Sequence, residues 1–120
     1  MFSIASCGSA HSTTQEMLSK TLSELEGQPT LIVGGMAMTC DTSEVVCALP
    51  ANVQFHGATS CLGIMTQEGA FIEGGRGNGF LAISDALGAF GTSVVPIIED
   101  AVEDAAEHAL LNALERAGRP

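Results

Sequence analysis

Residues 56–63, His-Gly-Ala-Thr-Ser-Cys-Leu-Gly, gather the side chains best equipped for chemistry. Cys61 could act as a nucleophile if a helix N-terminus or a cation stabilised its thiolate. His56 precedes it by five residues on an expected strand, so local geometry does not set the imidazole against the sulfur. No protease or transferase signature surrounds the pair. A small buried residue in a tight turn is the plainer reading of Cys61. The same segment can also be read as a ligand turn. Gly57 and Gly63 would admit a ligand close to the backbone, while Thr59 and Ser60 offer hydroxyls and N–H groups at a strand end, the usual place for α/β sites. These are ordinary turn residues as well.

Other candidates are more scattered. Arg76, in Gly-Gly-Arg-Gly-Asn-Gly, could anchor a carboxylate or phosphate through its planar fork of donors. Its glycine loop is neither a P-loop nor a dinucleotide fingerprint, and an exposed hairpin tip is the alternative. Of the three histidines, His11 lies near a helix cap and His108 on an acidic, solvated helix. His56 is the one expected to reach an interior, where it could be an axial haem ligand. Cys40 and Cys47 are seven apart, two helical turns, and can share a face, but nothing completes a tetrahedral metal site. The expected site is therefore a ligand-binding one (His56, Gly57, Thr59, Ser60, Cys61, Gly63 and Arg76), with no catalytic group, no metal and no cofactor.

The elements that must position these residues follow from periodicity. FSIAS (2–6) alternates as a strand. The segment 11–27 reads as a helix capped by Ser12 or Thr13, with Gln15 or Glu16 completing a capping box and Gly27 and Pro29 stopping it. Its apolar face is Met17, Leu18, Leu22 and Leu25. TLIVGGM (30–36) is apolar throughout and predicts a central strand covered on both faces. A short helix capped by Asp41 or Thr42 follows and ends before Pro50. Residues 52–60 form the next strand. Asn78-Gly79 signals a primed hairpin turn, opening a meander of antiparallel strands through 80–87 and 90–97. The chain then enters a long alanine-rich helix with Glu99, Asp100, Glu103 and Asp104 in its first turns. The segments 16–29 and 107–120 echo one another, both ending Gly-x-Pro. The expected fold is α/β, a single domain over 1–120. Its mixed β-sheet has a β-α-β-α-β start, an antiparallel meander, and a long C-terminal helix packed on the sheet.

Composition excludes some functions. Of 120 residues, 46% are apolar and none is Trp or Tyr, so the core is aliphatic. Four basic residues, Lys20, Arg76, Arg116 and Arg119, face fourteen acidic ones for a net charge of −10. Phosphate-backbone binding needs clustered Lys and Arg, and none exists, so neither nucleic acid nor an anionic membrane is an expected partner. Four cysteines without CxxC spacing in a core-rich chain read as free thiols of a cytoplasmic protein. No stretch reaches the ~20 apolar residues of a membrane span.

The order helix, QPTLIVGG, short helix ending ALP, strand, HGATSCLGI, meander and acidic alanine-rich helix resembles the N-terminal part of the FIST sensory domain, over residues 12–118. The family's turn is like Gly-Cys-Ser-Thr-Ala-Gly followed by Glu. Here Gly57 and the Thr59-Ser60 pair match it, Gly63 comes one residue late, and Ile64 stands where the family tends to an acid. The family's second portion and C-terminal domain have no counterpart here. The resemblance implies a non-catalytic sensory module of bacterial signalling that binds small molecules such as amino acids. Some members are similar to haem-based gas sensors, and a eukaryotic branch recognises substrates of ubiquitin ligases. The expected protein binds a small ligand or a signalling partner and self-associates as a homo-oligomer. Two alternatives stand beside it, a self-assembling structural subunit without ligand and an enzyme with Cys61 as nucleophile.

Overall fold

A computed structural model describes residues 1–118. The chain is an α/β protein with a mixed sheet, and it divides into two units, residues 1–86 and the segment from 87 onward. Arg119 and Pro120, the end of the sequence echo, lie outside the described residues.

In the first unit, β1 (Phe2–Ser9), α1 (Thr14–Glu24), β2 (Leu31–Ala37), α2 (Thr42–Ala48) and β3 (Gln54–Ser60) occur in the expected order. A short hairpin follows, β4 (Ile64–Thr66) and β5 (Gly69–Phe71), then a 3₁₀ turn (Glu73–Gly75) and β6 (Asn78–Asp85). The main sheet has the order β1-β6-β2-β3. β6 is antiparallel to both its neighbours, and β2 and β3 are parallel. The last strand in sequence is thus inserted between the first two.

One face of the sheet holds the core. Strand alternation puts Ala5 and Cys7 of β1, Phe80 and Ala82 of β6, and Ile32 and Met36 of β2 on it, packed with Met17, Leu18, Leu25 and Val45 from the helical side. α1 lies over β1 and β6, with α2 beside it. The α1 apolar face is the expected one, with Leu22 partly exposed and Thr21 fully buried. Thr21 is accommodated because its hydroxyl donates to the Met17 carbonyl at 2.8 Å. Both caps are as the sequence suggests. Thr13 and Glu16 form a reciprocal capping box on α1, and Asp41 caps α2 through the Ser43 N–H.

The opposite face is shaped by glycine. Gly8, Gly79 and Gly35 are register partners across β1, β6 and β2 and form one side-chain-free row. The hairpin rests on that row. A Cβ on Gly8 would meet Phe71 and Thr66 side chains at 2.9 Å, one on Gly35 would meet Ile64 Cγ2 at 2.7 Å, and one on Gly79 would strike Ile64 as well. Gln67, at the hairpin tip, donates to the Ser6 carbonyl at 3.2 Å. Away from the hairpin, Phe2, Ile4 and Val33 are exposed.

Four expectations are corrected. β2 is covered on its second face only in part, by the hairpin over Gly35, while Val33 on that face is 36% exposed and Ile32 on the other is fully buried. The Asn78-Gly79 turn does not form. Both residues sit in β6 with negative φ, and Asn78 is only 6% exposed, its amide bonded to three backbone or side-chain groups. The meander over 80–97 reduces to β6, and 90–97 is not a strand. With β1 and β2 on its two sides, β6 has no free edge for a following partner. The helix of the second unit, α3 (Val102–Arg116), begins later than its acidic residues suggest. Glu99 and Asp100 adopt φ of 50° and 61°, outside the helix, and only Glu103 and Asp104 occupy its first turn. Within this unit the segment around residue 91 packs on α3. A Cβ on Gly91 would strike the Ala113 carbonyl oxygen and meet the Ala117 nitrogen at 2.8 Å, and Arg116 donates to the Thr92 carbonyl at 2.7 Å.

Candidate functional site

The expected ligand residues fall along and after an edge strand. His56, Gly57, Thr59 and Ser60 belong to β3, so His56 and Ser60 lie on the open face while Gly57 and Thr59 lie on the helix face. The structure therefore does not bring the four side chains to one point. His56 is exposed, a correction to its expected interior place, since its register partner is Val33 on the uncovered side. The space beside Gly57 is taken by the chain itself, with Phe55 Cζ 2.5 Å and Met36 Cε 3.0 Å from where a Cβ would stand.

Cys61 follows β3 and is exposed, not a buried turn residue; the bend there is a Ser60 hydroxyl accepting from the Leu62 N–H at 3.3 Å. Gly63, at φ 105°, packs against Phe71 and Ile72 backbone, with Ile72 Cα 2.7 Å from a notional Cβ, so it serves the hairpin. Arg76 is exposed after the 3₁₀ turn, its backbone N–H bonded to the Glu73 carbonyl at 3.2 Å.

The remaining titratable candidates separate similarly. Cys40 precedes α2 and packs against the core while Cys47 is exposed on the helix, so the two do not share a helical face. Cys7 is buried, and its thiol donates to Glu24 Oε2 at 3.2 Å. Burial first, and that bond second, push the thiol above its ordinary value, which keeps it protonated and unreactive. His11 and Glu73 approach to 3.5 Å, both exposed. Among the described residues no three His, Cys, Asp or Glu side chains converge on a metal position, and no helix is long and apolar enough to cross a membrane.

A different place has the shape of a site. β1 and β2 run in the same direction, each antiparallel to β6, and each leads from its carboxyl end into a helix. Between those helix starts opens a cavity of about 350 Å³, walled by Thr13, Thr14 and Gln15 of α1 and by Thr39, Asp41 and Glu44 around α2. Asn78 forms its back wall. Its Oδ1 accepts from Thr14 Oγ1 at 3.1 Å and from the Ala37 N–H at 3.0 Å, and its Nδ2 donates to the Ser12 carbonyl at 3.0 Å. That one amide joins the ends of the two parallel-running strands to α1. Crevices outside the carboxyl ends of strands are where open α/β sheets bind ligands. The α1 start carries the positive end of a helix dipole with the Glu16 carboxylate of its capping box beside it, and the α2 start carries the carboxylates of Asp41 and Glu44. Asp41 accepts from Ser43 N at 2.9 Å and Ser43 Oγ at 2.6 Å, bonds that hold its carboxyl below the usual value and keep it charged. None of the seven sequence-derived residues lines this cavity. The signal that could have found it is the pair of caps, Thr13 and Asp41, each lying a few residues beyond a strand.

A second, smaller cavity of about 280 Å³ lies on the open sheet face under the hairpin, between Val33, Leu81, Ile64 and Met65. No protein-family model matches the chain, and neither a curated protein nor a solved structure matches it.

Proposed function

We propose that this protein is a non-catalytic binding module that takes a small polar molecule in the crevice between the α1 and α2 starts. The carrying observation is the cavity of about 350 Å³ at the carboxyl ends of β1 and β2, with the satisfied Asn78 amide as a rigid back wall. An anionic group of the ligand faces the α1 N-terminus, and a donor or ammonium group faces Asp41 and Glu44. A zwitterion such as an amino acid meets both requirements, in keeping with the FIST resemblance and its sensory role in the cytoplasm. The exposed position of Cys61, away from the cavities described above, speaks against a nucleophile mechanism. Calorimetric titration with a panel of amino acids tests the reading. Saturable binding is expected, and it is weakened at least tenfold in Glu44→Gln and unchanged in Arg76→Ala. Flat titrations across the panel overturn it.

A second reading, a self-assembling subunit, is favoured by one observation, the exposed apolar positions of the open sheet face.

A further inference from the structure

Of the three asparagines in the chain, Asn52, Asn78 and Asn112, only Asn78 is followed by glycine. An asparagine side-chain amide is open to attack by the backbone nitrogen of the next residue, and glycine, without a Cβ, leaves that nitrogen unhindered. Val53 after Asn52 is branched at Cβ and shields it, and Asn112 lies inside α3, where backbone N–H groups are engaged. The Asn78-Gly79 pair is thus chemically the most labile point of the sequence, yet it does not lie in a turn. In the fold three obstacles oppose the reaction. The Asn78 amide is held at both ends, Oδ1 by Thr14 Oγ1 and the Ala37 N–H, Nδ2 on the Ser12 carbonyl, so it cannot swing onto the Gly79 nitrogen without giving up those bonds. Gly79 is paired with Gly8 on one side and Gly35 on the other, which fixes its backbone. Ile64 of the hairpin lies over it, with Cδ1 where a Cβ on Gly79 would stand.

We propose that Asn78 is the chain's site of spontaneous deamidation, latent in the folded protein and released when the start of β6 opens. Asn78 is the first residue of that strand, and strand ends open at lower cost than a whole fold. Once the amide is free, hydroxide takes the Gly79 N–H proton and becomes water, and the nitrogen attacks Asn78 Cγ. The N–Cγ bond forms, the Cγ–Nδ2 bond breaks, and Nδ2 leaves as ammonia with a proton taken back from water. A second water opens the cyclic imide at either of its carbonyls, giving aspartate or, with the main chain rerouted through the side chain, isoaspartate. Either product gains a negative charge and loses the donor to the Ser12 carbonyl. Isoaspartate also adds a methylene to the main chain of β6, which shifts its pairing with Gly8 and Gly35. Since Asn78 forms the back wall of the crevice, conversion removes that wall, and it does so irreversibly. The inference goes beyond the ligand reading and stands without it.

Peptide mapping by mass spectrometry, on the intact protein incubated at mildly alkaline pH in buffer and in concentrated urea, is the test. In urea Asn78 should convert ahead of Asn52 and Asn112, yielding both aspartate and isoaspartate. Gly79→Ala, which need not fold for this measurement, should slow the conversion about tenfold by hindering the nitrogen. In buffer the wild-type rate should fall at least about 100-fold below the urea rate, because the strand must open first. Thr14→Val removes one bond to the Asn78 amide and keeps the branched shape, so it should raise the rate in buffer about fivefold and leave the rate in urea unchanged. Should Thr14→Val lose its far-UV circular dichroism, the buffer and urea rates of the wild type decide alone. Protein aged in buffer until Asn78 has converted should unfold at a lower urea concentration than fresh protein, as Asn78→Asp does. Equal rates in buffer and urea, another asparagine converting first in urea, a folded Thr14→Val with the wild-type rate, or converted protein with an unchanged midpoint overturns the proposal.

Discussion

Asn78 Oδ1 accepts the backbone hydrogen of Ala37 at 3.0 Å, joining residues 41 apart in sequence. The contact fixes the end of β2 against the start of β6 and, through Thr14 and Ser12, against the start of α1. Asn78→Ala leaves buried groups at Ala37 and Ser12 without partners, a loss of about 2–3 kcal/mol. Asn78→Asp keeps the acceptor but sets a carboxylate against the Ser12 carbonyl, and it should be no better tolerated. Urea midpoints measure both; wild-type midpoints would show that the amide does not hold the crevice together.

The four thiols should react in an order set by burial. Cys47 and Cys61 are exposed, Cys40 is half-buried and Cys7 buried, so an aromatic disulfide reagent at neutral pH should label the first two fast, Cys40 slowly, and Cys7 only on unfolding. The same burial has a consequence in base. Cys7 is raised from 9.0, so its stabilising protonated state is fully present below pH 9.0 and is lost as pH rises through the higher folded value. Wild type should lose stability above pH 9.0 more steeply than Cys7→Ala. Parallel curves would refute the assignment, and a Cys61 far faster than Cys47 would revive the nucleophile reading.

How far these elements are legible in the sequence depends on where their partners lie. Thr13 with Glu16, and Asp41 with Ser43, are local hydrogen-bonding units, and both caps are readable within four residues. Asn78-Gly79 carries the same kind of local signal for a turn, but Asn78 instead bonds groups 41 to 66 residues away. Residues 90–97 have strand composition without a strand partner, because β6 already has two. Pairing of β6 between β1 and β2 is a long-range choice that periodicity does not encode. The crevice draws its walls from three separated segments for the same reason, whereas the contiguous 56–63 stretch is conspicuous on paper and divides between two faces of β3.

Gly34 tests the fit of the two phenylalanines over the sheet. A Cβ there would stand 2.6 Å from Phe80 Cε1 and 3.3 Å from Phe55 Cε2. Phe80 is among the largest fully buried side chains and has nowhere to retreat. Gly34→Ala should cost about 2 kcal/mol through overpacking. Phe80→Leu should cost less in the Gly34→Ala background than alone, since the smaller side chain vacates the contested space. Strictly additive losses in a denaturation cycle would show that the ring is not the obstacle.

Asp41 links the crevice to acid. Its bonds from Ser43 are stronger to the carboxylate than to the neutral acid, and they lower its titration from 3.8. A lowered value means that the cap contributes fully above pH 3.8 and is lost as pH falls through the folded value. α2 has seven residues and depends on this end, so its amides should lose exchange protection on acidification ahead of those of α1. α1 retains a neutral acceptor, Thr13 Oγ1, at its own cap. Asp41→Ser can still accept the Ser43 N–H but cannot titrate, so it should keep α2 protected at neutral pH and remove the acid dependence. If the wild-type and Asp41→Ser proteins release α2 at the same pH, another group controls that wall of the crevice.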